Sequence, residues 1–420
     1  MYQPPKGTRD LGPDEMKKMN YVIDILREVF EKYGFRPLET PAFESFELLS
    51  AKGGGGDAIR DEIYVFKDKG DRELGLRFEL TTGMVRFVTN NPDIPKPFKR
   101  YQIGRVWRYD NPQAMRYREF WQADIDIVGS ASILADAECL AAFCEAMEQL
   151  GLNNFFIRIN SRLLLESLFK KAGIKGDISE AFRSIDKEDK IGLAGVKSEL
   201  EEKGMNPDKI INIIKMTGAN DAVIKKVESG YGEVGGLAEV KELLAAAKDF
   251  GIDKFLKLDL SLVRGLDYYT GLVFELGFVG AGASCGGGGR YDKMVKMLGG
   301  PDMPATGISF GLSRLLTVMD EKGLFKDGKK SYFVVAINDS LRKDAIEVCD
   351  KLRELGLMAE MDVMGRKVGK QLEYASAAKF SYVVFVGPDE LKKDSVKIRD
   401  MKTGKERAVK MKDLAKELKD

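Results

Sequence analysis

Arg108, Arg264 and Arg314 stand in apolar or glycine-rich surroundings (VWRYD, SLVRGLDYYT and GLSR) where an arginine makes most sense if it meets an anion. A guanidinium stays charged in almost any medium and offers a planar fork to phosphate or carboxylate. Each one alone reads equally well as a structural ion pair; the three together favour an anion site. The stretch RYDNPQAMRYREFWQADIDIVG, residues 108 to 129, adds Asp110 beside Arg108, Arg116 and Arg118 in a Pro-containing loop, and then Gln122, Asp124 and Asp126. Steps of two put those last three on one face of a strand. A row of amide and carboxylates is costly inside a protein unless a ligand or cation satisfies it; the alternative is a solvent-facing strand edge. Within LRFELTTGMVR, residues 76 to 86, Glu79 and Thr81 are also two apart and read as sharing a strand face.

The 420 residues include no histidine. That removes imidazole bases, serine or cysteine triads and histidine-rich zinc sites together, leaving charge placement, carboxylates, tyrosines and metal ions from solution. Cys139, Cys144, Cys285 and Cys349 show neither a disulfide framework nor metal-knuckle spacing and read as core residues, the first two on one helix face. The run Gly53 to Gly56 is followed by Asp57, so no Walker loop is present and a flexible loop or substrate lid is the expectation. CGGGGRYD, 285 to 292, lacks dinucleotide-fingerprint spacing; its glycines fit close approach to a neighbouring strand or to a ligand.

The elements that must carry these residues are partly legible. Met16, Met19, Ile23, Leu26, Phe30 and Tyr33 recur at three- and four-residue steps, predicting an amphipathic helix over 13 to 33 that ends at Gly34. Strand-like segments follow at 63 to 66, 74 to 79, 101 to 109 and 120 to 128 with few helices between, which favours an antiparallel sheet. From about Ser161 to Phe250 the texture is helical, with breaks at Gly204, Pro207 and Gly218; strand character returns at 256 to 260 and 272 to 278. Beyond a charged linker, 321 to 331, an α/β unit begins. From Lys329 onward 21 Lys plus Arg face 16 Asp plus Glu, a basic unit on an otherwise slightly acidic chain whose total is +1. That is weak support for nucleic-acid contact. No signal peptide or membrane span is apparent, and a cytoplasmic protein is expected.

With these residues in view, the chain resembles the histidyl-tRNA synthetases, class II aminoacyl-tRNA synthetases, nearly end to end. KGTRD at 6 to 10 resembles the family's opening, GFRPLETPAFE at 34 to 44 its first motif, RYDNP with RYREF its second, and GISFGLSR at 307 to 314 its third. LVRGLDYYTG and GGRYD resemble the segments particular to the histidine enzymes, and the Asp-Asn-Pro and Asp-Ile-Asp-Ile spellings resemble the archaeal and eukaryotic branch.

The resemblance implies an α+β fold: an antiparallel class II sheet flanked by helices, an inserted helical domain, and a C-terminal α/β anticodon-binding domain. The boundaries expected are 1–160 and 253–322 for the catalytic core, 161–252 for the insertion and 330–420 for the last domain. It implies that L-histidine is activated with ATP and Mg²⁺ to histidyl adenylate, and that histidine is then passed to histidine tRNA by a homodimer. Arg108 and Arg264 would hold the α-phosphate, Arg314 the γ-phosphate, and Asp110 would belong to the ATP site. Arg264 would stand in for a metal ion used by other class II enzymes, so no metal fixed by protein is expected. Glu79, Thr81 and Gln122 would receive the α-ammonium group, Asp126 and Tyr269 would read the two imidazole nitrogens, and Tyr291 would line the pocket. No editing domain need be invoked. Phe78 replaces the usual proline, Trp121 a frequent histidine, and Asp126 a longer glutamate. The rivals are a histidine-sensing regulatory paralogue that binds without catalysing, and an adenylating enzyme that serves no tRNA.

Overall fold

A computed structural model of the chain describes residues 2–51, 57–111, 117–264, 268–279, 284–325 and 330–418. The glycine run at 53 to 56 and Arg116 lie outside them. The chain forms two compact units, Met1–Phe325 and Lys326–Asp420.

The first unit opens with helix α1 (Pro13–Lys32), whose Pro13 starts it without losing a hydrogen bond and whose Met19, Ile23, Leu26 and Phe30 are buried. Then come β1 (Arg36–Pro37), β2 (Phe43–Ser45), α2 (Phe46–Ser50), α3 (Asp57–Glu62), β3 (Val65–Lys67) and β4 (Glu73–Leu76). Helix α4 (Thr81–Asn90) leads into two ten-residue strands, β5 (Phe98–Trp107) and β6 (Glu119–Val128), followed by α5 (Ile133–Gln149) and β7 (Phe155–Ser161).

Six helices intervene before the sheet resumes: α6 (Arg162–Lys171), α7 (Ile178–Ile185), α8 (Glu188–Glu202), α9 (Pro207–Ile214), α10 (Asn220–Tyr231) and α11 (Leu237–Asp249). Strands β8 (Leu256–Leu258), β9 (Leu272–Phe278) and β10 (Gly286–Arg290), helix α12 (Met294–Met297), β11 (Ala305–Gly311) and α13 (Leu312–Glu321) finish the unit.

The main sheet has the order β1-β5-β6-β11-β10-β9-β7-β8. Its six central strands are antiparallel, whereas β1 on β5 and β8 on β7 are parallel, so the sheet is mixed rather than purely antiparallel. Helices α1 and α5 cover one face, where Phe143 of α5 stacks on Phe310 of β11 at 4.2 Å and Phe30 of α1 lies 6.1 Å from the same ring. The apolar residues of α6 to α11 continue this core without a break. A small sheet, β2-β4-β3, stands apart.

The second unit runs β12 (Ser331–Ala336), α14 (Arg342–Glu354), β13 (Met358–Met361), α15 (Val368–Ala377), β14 (Tyr382–Val386), α16 (Pro388–Leu391), β15 (Ser395–Asp400), β16 (Glu406–Lys410) and α17 (Leu414–Leu418). Its sheet order is β13-β12-β14-β15-β16, parallel through β14 and then antiparallel, with apolar clusters on both faces.

Candidate active site

On the face of the main sheet away from α5, strands β6, β9, β10 and β11 floor a cleft of about 280 Å³. Arg108, Asp110, Gln122, Arg264 and Arg314 all line it, as do Glu275, Ser309 and Cys285. Three cations separated by some two hundred residues therefore face one cavity. Arg108 follows β5; its Nε donates to the Phe78 carbonyl at 2.9 Å and its guanidinium lies 5.3 Å from the Phe120 ring centre. Phe78 thus contributes a backbone oxygen here, while its ring is buried against Leu49 and Ile63. Arg314 sits in the first turn of α13 and donates to the Ser284 carbonyl. Asp110 accepts from the Asn111 N–H at 2.9 Å.

Arg264 is reached by a chain of charge. Asp259 pairs with Arg158 Nε at 2.9 Å, Arg158 Nη1 with Glu275 Oε1 at 2.7 Å, and Glu275 Oε2 with Arg264 Nη1 at 3.4 Å. Burial disfavours the Arg264 cation, but Tyr269, Glu275, Tyr268 and Asp186 outweigh it and hold its pKa above the ordinary value. The Cys285 thiol is pushed up to about 11 by burial despite Arg314, so it stays protonated at neutral pH.

Beside the cleft, β6 presents Gln122, Asp124 and Asp126 on one face, all buried. β6 is an interior strand, between β5 and β11, which removes the solvent-edge alternative. Gln122 Nε2 donates to Ser309 Oγ at 3.1 Å and Ser309 Oγ to Asp124 at 2.5 Å, while Gln122 Oε1 has no hydrogen-bond partner among the described residues. Burial pushes the Asp124 carboxyl up to about 7; Arg100 opposes this and Asp126 adds to it. Asp126 receives the Tyr291 hydroxyl and pairs with Arg100 Nη2 at 2.6 Å. Arg290 holds the neighbouring GGRYD segment in place by pairing with the buried Asp136 of α5.

One expectation changes. Glu79 and Thr81 do not alternate along a strand: Thr81 is the first residue of α4, and Glu79 caps that helix, accepting from the N–H groups of Thr81 at 2.6 Å and Thr82 at 2.8 Å and from the Thr82 hydroxyl. Free N–H groups at a helix start attract a carboxylate, and this outcompeted the strand reading. Tyr269 lies against Tyr268, with ring centres 4.5 Å apart and planes tilted by 36°, and accepts from its hydroxyl at 3.3 Å; Asp126 is hydrogen-bonded by a different tyrosine, Tyr291. Residues that sequence reasoning left out are Arg100, Arg158, Glu275, Ser309 and Tyr268. Arg100 has a signal: the strand expected from Tyr101 begins earlier, at Phe98, and takes Arg100 in.

Among the described residues no group of three or more Cys, Asp or Glu could hold a metal ion, and no helix is long and apolar enough to cross a membrane.

The family model for histidyl-tRNA synthetase matches residues 7–315 and that for the anticodon binding domain residues 331–420. The chain belongs to the histidyl-tRNA synthetase family. It is 38% identical to the histidine–tRNA ligase of Thermococcus kodakarensis over 418 residues, spanning 96% of this chain and 95% of that one. The crystal structure of histidyl-tRNA synthetase from Nostoc sp. PCC 7120 superposes with a TM-score of 0.86 at 32% identity, covering all of this chain and 98% of that one. An ATP phosphoribosyltransferase regulatory subunit/histidyl-tRNA synthetase from Bacillus halodurans shares the fold, with a TM-score of 0.77 at 23% identity and coverage of 92% and 98%.

Proposed function

We propose that the protein is a histidine–tRNA ligase: it activates L-histidine with ATP to histidyl adenylate and pyrophosphate, then transfers histidine to the 3′ end of its tRNA. The observation that carries this is the gathering of Arg108, Arg264 and Arg314 around one cleft beside a buried carboxylate face. In the first step a histidine carboxylate oxygen forms a bond to the α-phosphorus while the bond from that phosphorus to the bridging oxygen breaks, and pyrophosphate leaves with the electron pair. Two anions must meet, so fixed positive charge is the main requirement.

Arg108 and Arg264 flank the α-phosphate in this reading, Arg314 takes the γ-phosphate, and Asp110 lies at the ATP site. Mg²⁺ enters with ATP on its phosphates, in keeping with the ion's reluctance to shed water for an all-protein cage. Glu79, Thr81 and Gln122 receive the α-ammonium; Gln122 Oε1, without a partner among the described residues, is a ready acceptor. Asp126 and Tyr269 face the imidazole, and Tyr291 both lines the pocket and braces Asp126. The unit beginning at residue 331 binds the anticodon stem, and the enzyme works as a cytoplasmic homodimer. Exposed Phe43, Val65 and Phe66 on the small sheet support an interface there.

Histidine-dependent exchange of pyrophosphate into ATP, followed by charging of tRNA, tests the reading: both are expected. A regulatory paralogue gives neither, and an adenylating enzyme without a tRNA partner gives only the first.

A further inference from the structure

Among the described residues Arg100 heads the fully buried side chains by volume, and it is charged. Burying an unpaired guanidinium costs several kcal/mol, so its surroundings must supply the compensation. They do so unevenly. β5 and β6 pair with Arg100 directly opposite Asp126, and Nη2 lies 2.6 Å from Asp126 Oδ2. The contact is close but not directed along an N–H: Nε, Nη1 and Nη2 are without a well-formed hydrogen bond among the described residues. We take it as an ion pair, since the separation is short and both groups are out of water. Asp124 also feels the Arg100 charge, as does Tyr291.

The other side of Asp126 is fixed as well. The Tyr291 hydroxyl donates to Oδ1. On β11 the residue paired with Asp126 is Gly307, and a Cβ there would overlap the Asp126 carboxylate. Arg100, Tyr291 and the bare Gly307 backbone thus clamp one short side chain from three directions. An aspartate reaches about 1.5 Å less far than a glutamate, the length of one carbon–carbon bond, and has correspondingly less freedom to find a ligand by itself.

We propose that Arg100 is a positioning residue for amino-acid selection: its ion pair with Asp126 Oδ2, set against the Tyr291 hydroxyl on Oδ1, holds that carboxylate in the orientation from which the imidazole is read. The inference rests on the reading of Asp126 as an imidazole-facing group. Arg100 itself does not touch the substrate. Its removal should therefore weaken histidine binding and leave the handling of ATP alone.

The test is steady-state pyrophosphate exchange, varying histidine and ATP separately, on Arg100→Leu, Arg100→Lys, Asp126→Asn and Arg100→Leu/Asp126→Asn. Arg100→Leu should raise KM for histidine about tenfold or more, with kcat and KM for ATP within about twofold, and Arg100→Lys should restore a substantial part. The double variant should be no worse than Asp126→Asn alone, because coupled neighbours are not additive. If Arg100→Leu fails to fold, Arg100→Lys and the double variant, which removes both charges together, decide the matter by the same criteria. Equal shifts in KM for ATP and for histidine, or additive losses in the double variant, overturn the proposal. An unchanged KM for histidine in Asp126→Asn overturns the reading of Asp126 and this inference with it; a raised KM there, beside an unaffected Arg100→Leu, overturns this inference alone.

Discussion

Arg264 lies directly over Gly287 of β10: a Cβ on that glycine would stand 2.5 Å from guanidinium Nη1. The contact is with the end of a long side chain, so the fold can yield by moving the arginine. Gly287→Ala should therefore leave thermal stability nearly unchanged while lowering adenylate formation. Arg264→Ala sets the scale, with an expected loss of roughly 10² to 10³ in kcat for a missing transition-state donor. Single-turnover adenylate formation beside a thermal melt checks both; a Gly287→Ala enzyme as active as its parent would refute the close packing as a catalytic constraint.

Asp124 offers a pH test. Its carboxyl is held at about 7 in the fold against an ordinary 3.8, so the folded chain retains a proton that the unfolded chain releases between those values. Stability from this group is therefore lost as pH rises from about 4 to about 7 and is flat beyond, by on the order of 4 kcal/mol. Asp124→Asn should remove the penalty. The melting temperature of the variant relative to its parent should climb across that window and plateau above it. With no histidine in the chain, no imidazole titrates there to obscure the result.

The second unit carries its own sheet and apolar clusters. Deleting residues from 330 onward should spare histidine-dependent pyrophosphate exchange and lower tRNA charging by tenfold or more. Equal loss of both activities would refute the separation of roles.

Phe43 and Phe66 meet edge to face at 6.1 Å on the small sheet, and both are exposed. If this sheet meets a second copy, Phe66→Asp should shift the protein from dimer to monomer in sedimentation at micromolar concentration. An undisturbed dimer would move the interface elsewhere.

What could be read from residues alone follows physical lines. α1 was legible because its buried face repeats every three or four positions, and β6 because its polar face repeats every two. Strand β10 was not: four glycines carry no side-chain pattern, and only pairing with β9 and β11 makes them a strand. Glu79 was misplaced on a strand because a helix cap and a strand end share the same local spelling. Arg108, Arg264 and Arg314 were conspicuous individually, but their convergence on one cleft depends on pairings between strands far apart in the chain. Arg100 escaped notice because its partner, Asp126, lies across a strand pairing that no local window contains.

Strand β8 runs parallel to β7, so the intervening chain has to travel back along the sheet before it can enter in the same direction. The six helices from α6 to α11 are thus a return path as much as an ornament. Cutting them down to a tight turn would flip β8 end for end, and Arg264, six residues after it, would emerge at the wrong rim of the sheet.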